Sequence, residues 1–198
     1  MAETCEKTLA GPADNEADDD KLLVEQFGQG DDSAFDRIVE RYLTDISTLA
    51  SRLLAWPGEV EDVVQNVLLA AFLGLKKFRC QCGLRTWLFT ITINKCRTHR
   101  YKRMLHGRLF SKAFDKEAPD GRPVADKMLI DRETFERVRR AVRALPQRYR
   151  EPVVLRYLQE LSTEQIVEIL GISKNVLQVR LNRARNRLKQ DLAELIEE

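Results

Sequence analysis

Four residues between positions 80 and 99 could form a metal-binding set. Cys80, Cys82, Cys96 and His99 offer three thiols and an imidazole, a donor set that suits tetrahedral zinc. Their spacing works against that use. If residues 84–96 form one helix, they extend about 18 Å at ~1.5 Å per residue. Cys80 and Cys82 would then have to fold back along the helix to reach Cys96. Cys96 reads better as a small buried apolar group, and neither a metal nor a cofactor is expected. No nucleophile–base pairing, phosphate loop or carboxylate pair stands out, so an enzyme is not indicated. What remains is the chemistry of cations and amides.

That chemistry is concentrated in two stretches. Residues 76–103 read KKFRCQCGLRTWLFTITINKCRTHRYKR. As a helix from Leu84, they turn Trp87, Leu88, Ile91 and Cys96 inward. Arg85, Asn94, Lys95, Arg97, Arg100, Lys102 and Arg103 then supply cations and an amide around the rest, with Arg79 in the loop before the helix. Arg and Lys neutralise phosphates, and Asn and Arg also read base edges. Phe78, in the loop before the helix, could stack on an unpaired base or pack into a core. A solvated basic face is the plain alternative for the cations.

Residues 162–190, STEQIVEILGISKNVLQVRLNRARNRLKQ, have the layout of a helix–turn–helix. Ser162 or Thr163 caps a first helix whose buried side is Ile166, Ile169 and Leu170. Gly171 makes the turn, Ile172 enters the core, and Ser173 caps the second helix. Leu177, Leu181, Ala184 and Leu188 form its inner face. Asn175, Gln178, Val179, Asn182 and Arg183 project outward or to the side, where such a helix meets the major groove. Gln178 can pair with adenine and Val179 can touch a thymine methyl. Lys174, Arg180, Arg185 and Arg187 suit phosphates.

These groups need helices to hold them. Asp31-Asp32-Ser33 reads as an N-cap cluster, and Phe35, Ile38, Val39, Tyr42, Ile46, Leu49 and Leu53 follow at spacings of three and four. After Trp56-Pro57-Gly58, a core stripe of Val60, Val63, Val64, Val67, Leu68, Ala71, Phe72 and Leu75 marks another helix. Its opposite face holds Asp62, Gln65, Asn66, Leu69 and Leu73. Short polar groups beside two leucines fit a protein contact with apolar anchors and a polar rim. Burial on both sides within one domain would give the same pattern.

The composition frames all of this. The 198 residues are 43% hydrophobic, 32% charged and 7% aromatic, with nine Gly and six Pro, so turn punctuation for an all-β fold is lacking. No apolar run approaches the ~18 residues of a membrane span. The acidic N-terminus has no apolar signal core, and a cytoplasmic protein is expected. Residues 1–62 hold 5 Lys/Arg against 16 Asp/Glu; the rest hold 28 against 15. Such a split suggests a basic surface for a polyanion. Residues 1–21 read as an acidic mobile tail, 22–103 as one helical domain, 104–130 as a flexible linker rich in Pro, Gly and Asp, and 131–198 as a second helical domain. The fold expected is all-α.

Taken in order, VEDVVQNVLLAAF (60–72), FRCQCGLRTWLFTITIN (78–94), LPQRYREPVVLRYLQELSTEQIVEILGIS (145–173) and VRLNRARNRLK (179–189) resemble the extracytoplasmic-function (ECF) group of bacterial RNA polymerase sigma factors, within the sigma-70 family. The resemblance implies that 22–103 is sigma region 2 and 131–198 is sigma region 4. Asp62, Gln65, Asn66, Leu69 and Leu73 would bind the coiled-coil clamp of core RNA polymerase. The loop and helix at 78–103 would engage the −10 element and capture a flipped base; the recognition helix would read the −35 element as duplex. An anti-sigma factor would be a further partner, and no membrane insertion is implied. Asn66 stands where the family usually has Glu, and Val167 where it usually has Ala. Apart from this resemblance, the helix–turn–helix alone would fit a stand-alone transcriptional regulator.

Overall fold

The computed structural model describes the backbone of residues 12–54, 57–109 and 129–193, and the side chains of 18–54, 58–105, 134 and 136–193. Every regular element among them is helical. The order is α1 (Pro12–Gly28), α2 (Ser33–Leu53), a 3-10 turn (Pro57–Glu59), α3 (Val60–Leu75), α4 (Leu84–Leu109), α5 (Leu129–Ala144), α6 (Gln147–Val153), a π turn (Val154–Leu158), α7 (Thr163–Leu170) and α8 (Lys174–Asp191). None of the helices is long and apolar enough to cross a membrane, among the described residues.

The first lobe, α1–α4, is a bundle around one apolar stripe per helix. On α2 the stripe is Ala34, Ile38, Tyr42, Ile46, Leu49, Ala50 and Leu53, all buried. Its start is fixed by Asp31 rather than Asp32. The Asp31 carboxylate accepts from the Ser33 N–H at 3.0 Å and from the Ser33 hydroxyl at 2.6 Å, whereas Asp32 already has helical dihedrals and makes no side-chain cap. On α3 the buried residues are Val63, Val64, Val67, Ala71 and Leu75. Helix α4 crosses α2 and α3 and buries Leu84, Leu88, Phe89, Ile93 and Cys96. Each large apolar side chain buried here contributes ~1.5–3 kcal/mol. Trp87 and Ile91 are only partly buried, so the inward face of α4 is rotated toward Phe89 and Ile93 from the expected one. Trp87 instead lies over Gly74, where a Cβ would come within 3.1 Å of its ring.

The expected tail boundary needs correction. Helix α1 begins at Pro12, and Leu23, Val24 and Phe27 join the core. Asp20, placed by sequence in a mobile tail, is 8% exposed. Its carboxylate accepts from the Tyr42 hydroxyl at 2.6 Å and from Arg41 at 2.8 Å. The partners that bury this acid lie on α2, beyond the reach of local composition. Helix α4 likewise runs to Leu109, into the expected linker; residues 1–11 and 110–128 fall outside the described residues.

The second lobe, α5–α8, is built around the helix–turn–helix. Ser162 and Gln165 form a reciprocal capping box at the start of α7, with bonds of 3.2 and 2.9 Å. Gly171 ends α7 at φ +62°, where a β-carbon would be strained although the space is open. The Ser173 hydroxyl then accepts from Val176 N–H at 3.3 Å and caps α8. Ile166, Ile169, Leu170, Leu177, Leu181 and Ala184 close the core, with Ile172 packed against it. The two lobes touch: α7 packs on α4, and the π turn packs on α2.

Candidate nucleic-acid and partner interfaces

Three surfaces correspond to the three groups of residues marked in the sequence. The first is the outer face of α3. Asp62, Gln65 and Asn66 are exposed, Leu69 is 58% exposed and Leu73 is 67% exposed. Burial on both sides of α3 is thereby excluded, since two large apolar groups stand in solvent on a helix that already has a complete core face. Asn66 anchors to its own helix, its amide donating to the Asp62 carbonyl at 2.6 Å. Phe72 straddles the boundary. It is 38% exposed, yet it meets Phe27 and Phe35 edge-on at 5.3 and 5.1 Å. Beside this face runs a groove of about 640 Å³ lined by Leu43, Leu54, Val64, Gln65 and Leu68, with Arg139 and Arg143 of α5 at its edge.

The second surface is the loop after α3 and the outer side of α4. Phe78 is half-buried and stacks on Trp87, with centroids 4.9 Å apart and planes tilted by 33°. It belongs to the core and to the loop at once. Cys80 holds a left-handed φ of +52°, which helps turn the loop tightly back toward α4. A cavity of about 450 Å³ opens beside the loop, bounded by Phe78, Cys82, Leu84, Arg85 and Tyr42 and by Gln165 from α7. Arg79, Asn94 and Lys102 are exposed. The other cations are engaged. Arg85 pairs with Asp45 at 2.8 Å and lies over the Phe89 ring. Arg103 pairs with Glu59 at 2.7 Å, and Arg100 is half-buried. Arg97 makes two bonds to Glu151 of α6, at 3.0 and 2.6 Å.

The third surface is α8. Lys174, Asn175, Gln178, Val179, Asn182, Arg183 and Arg185 are exposed along one side, with Arg180 half-buried at its edge. Val179 is 49% exposed, an apolar tip amid polar neighbours, as contact with a thymine methyl requires. Lys174 pairs with Glu164 at 2.7 Å, and Arg185 donates to the Tyr157 hydroxyl at 3.1 Å. Arg183 hydrogen-bonds the Tyr149 hydroxyl and pulls its pKa down, helped by Arg148 and Arg187. These partners lie on α6, α7 and the π turn, and Asn175 and Gln178 stay exposed.

The four residues weighed for zinc are not brought together. Cys80 is exposed in the loop, Cys82 faces Glu168, and His99 pairs with Glu59 at 3.1 Å. Cys96 is buried against the core, and that burial pushes its thiol up to about 12. No group of three or more potential metal ligands occurs among the described residues.

Some residues at the lobe junction went unmarked in the sequence. Arg150 is 5% exposed and donates to the carbonyls of Leu53 at 3.0 Å, Leu145 at 3.1 Å and Arg143. Burial, with Arg100 and Arg143 nearby, lowers its pKa to about 10. Arg52 donates to the Leu158 carbonyl. Helical periodicity carries no signal for the pairings of Arg97 with Glu151, Arg150 with Leu53 and Arg52 with Leu158, because they join residues 54, 97 and 106 positions apart.

The comparisons with known proteins agree with this geometry. Residues 38–105 match the model of sigma-70 region 2, and residues 135–188 match that of sigma-70, region 4. The ECF RNA polymerase sigma factor SigW of Bacillus subtilis (strain 168) is 28% identical over 183 residues, covering 88% of this chain and 97% of the relative. The ECF RNA polymerase sigma-E factor of Escherichia coli (strain K12) is 28% identical over 188 residues, covering 89% and 96%. Among solved structures, CnrH in complex with the cytosolic domain of CnrY superposes with a TM-score of 0.66 at 26% identity, covering 89% of this chain and 99% of that one. The sigma factor RpoE of Bartonella quintana, solved with the anti-sigma factor NepR, shares the fold with a TM-score of 0.67 at 24% identity, over 80% and 96%. Two family models in the right order, with relatives aligned along nearly their whole length, place the chain in the ECF group of the sigma-70 family.

Proposed function

We propose that the chain is an ECF-type sigma factor that lends sequence reading to core RNA polymerase and helps open the promoter. The observation that carries the reading is the pairing of two separate surfaces on one short chain. One is an apolar-anchored face on α3, with Leu69 and Leu73 in solvent; the other is a capped helix–turn–helix whose reading side is free. A stand-alone regulator needs only the second.

In this reading the polymerase clamp docks on Asp62, Gln65, Asn66, Leu69 and Leu73. The −35 duplex meets α8, with Asn175, Gln178, Val179 and Asn182 toward bases. Lys174, Arg180, Arg183 and Arg185 go to phosphates. The −10 element meets Phe78, Arg79, Arg85, Asn94, Arg97, Arg100, Lys102 and Arg103. Residues 22–103 and 131–198 act as the two recognition domains. Flipping a base costs a few kcal/mol of unstacking. A binder shifts that equilibrium only through its preference for the open form. The cavity beside Phe78, about 450 Å³ in volume, has room for one flipped base, and the neighbouring cations would hold its backbone.

Members of the family are non-enzymatic initiation factors, and this chain's part is recognition, with the polymerase supplying the chemistry. CnrH and RpoE were solved with CnrY and with the anti-sigma factor NepR, and this chain would have an anti-sigma partner of its own. Its place would be the cytoplasm. Run-off transcription with purified core polymerase and a genomic fragment library tests the function. Discrete new transcripts that depend on this protein are expected; transcripts identical with and without it would overturn the proposal.

A further inference from the structure

Cys80-x-Cys82, in the loop between α3 and α4, has no part in the proposed contacts with polymerase or DNA. Its two thiols differ. Cys80 is exposed and sits at φ +52°, a conformation uncommon for side chains other than Asn, Asp and His. An exposed thiol there adds no packing, and glycine would make the same turn with less strain. Cys82 is half-buried, and its thiol donates to the Glu168 carboxylate; burial first, then that carboxylate, pushes its pKa up. Both cysteines line the cavity beside Phe78, and the chain bends at Gln81 and Cys82. Residues two apart are separated by at most ~7 Å in a straight chain. A bend shortens that separation toward the roughly 4.4–6.8 Å between Cα atoms that a disulfide spans. Cys96 makes the contrast: it is buried, its thiol is pushed up to about 12, and it takes the place of an inert core residue.

We propose that Cys80 and Cys82 are a reversible oxidation site for peroxide, at which Cys80 is oxidised first and Cys82 then closes a disulfide across Gln81. The redox step stands on the loop geometry alone; its effect on DNA rests on the proposed assignment of the loop to the −10 element. The exposed Cys80, as thiolate, attacks hydrogen peroxide. An S–O bond forms, the O–O bond breaks, and the departing hydroxide takes up the proton that the thiol lost and leaves as water. The Cys82 sulfur, held as a thiol until then, attacks the Cys80 sulfur. The S–S bond forms, the S–O bond breaks, and the hydroxyl leaves as a second water with the Cys82 proton. The two thiols give up two electrons, and the peroxide takes both. An exposed bridge between residues two apart is readily reduced, as a transient disulfide in a reducing compartment must be. Closing it draws two side chains of the cavity wall together and stiffens the turn that carries Phe78 and Arg79. The cavity then no longer adjusts to a flipped base, and the −10 strand binds more weakly.

The test uses the full chain with Cys5→Ser, which keeps that thiol out of the chemistry. The protein is exposed briefly to hydrogen peroxide, the excess is removed with catalase, free thiols are alkylated, and the chain is digested with trypsin. Cleavage after Arg79 and Arg85 releases residues 80–85, with both cysteines in one peptide. Mass spectrometry should show that peptide unalkylated and short of two hydrogens, with both thiols restored by dithiothreitol. Two alkylated thiols after peroxide overturn the site. The order is tested separately. Cys82→Ser should leave a sulfenic acid on Cys80 that dimedone traps, and Cys80→Ser should leave Cys82 a thiol. Trapping on Cys82 instead overturns the order. A thermal melt shows that both variants fold, and the peptide result does not depend on them. Fluorescence anisotropy with a labelled 12-nucleotide mixed-sequence single strand reads the consequence. The bridged chain should bind about tenfold more weakly, within the usual range of coupling between sites, with recovery on reduction and no such loss in Cys80→Ser. Unchanged binding by the bridged chain overturns the effect on DNA. Run-off transcription with pre-oxidised protein separates the two claims. Transcripts that persist while residues 80–85 keep both thiols sink the redox site alone; no transcripts even from reduced protein, with the bridge formed as expected, sink the sigma assignment and leave the redox site standing.

Discussion

Leu69 exposes 58% of its surface on a helix whose other side is fully packed, and it touches nothing that folding needs. Leu69→Arg should therefore change stability by no more than about 0.5 kcal/mol. It should abolish capture of core polymerase in a pull-down, because a desolvated cation would sit where an apolar anchor belongs. Undiminished capture would remove α3 from the interface. Gln178 makes the matching case for DNA. Gln178→Ala should cost about 1–3 kcal/mol toward the preferred −35 duplex and relax preference at one base pair, in a binding series over all four pairs. Both residues were legible from sequence, because a side chain that faces outward is fixed by helical phase alone. Arg97 was legible only as a cation. Its capture by Glu151 depends on a residue 54 positions away that no local pattern connects to it.

At the scale of the element, what the sequence revealed best is what local chemistry decides. The capping box of α7, the left-handed glycine and the Ser173 cap all lie in one short stretch, from Ser162 to Ser173. Gly171→Val should cost about 1–2 kcal/mol, the ordinary penalty of a β-carbon in the left-handed region. Gly171→Asn should cost less, since a short polar side chain tolerates that backbone; thermal unfolding of the two variants checks the order. Helix α1 is the counter-example. Its run of aspartates reads as solvated tail, yet Asp20 is buried by Tyr42 and Arg41, and burial together with that hydrogen bond pushes the Tyr42 hydroxyl's pKa well up. Asp20→Ala should cost about 1–3 kcal/mol in urea unfolding, the usual loss when buried polar groups are left unpaired. A negligible effect would return residues before Lys21 to the role of tail.

The whole molecule joins an acidic first third to a basic remainder, and ion pairs within the fold engage some of its cations and leave others without a carboxylate partner. In the free chain, α8 presents Arg183 and Arg185 at the surface, while Arg97 is neutralised by a carboxylate and Arg85 by Asp45. Counterion release turns that difference into a number. Each phosphate newly met on a single strand steepens the fall of log K with log salt by about 0.7, and on duplex by about 0.9. Releasing Arg97 with Glu151→Gln should thus raise affinity for a single strand and steepen its salt slope by at least about 0.7, the share of one freed cation. The slope for a −35 duplex should not move, because Arg97 lies on α4 and not on α8. Tighter single-strand binding at unchanged slope would mean that the freed surface works through stacking at Phe78 and that Arg97 meets no phosphate. A change confined to the duplex would mean that α8, rather than α4, is the surface that Glu151 restrains.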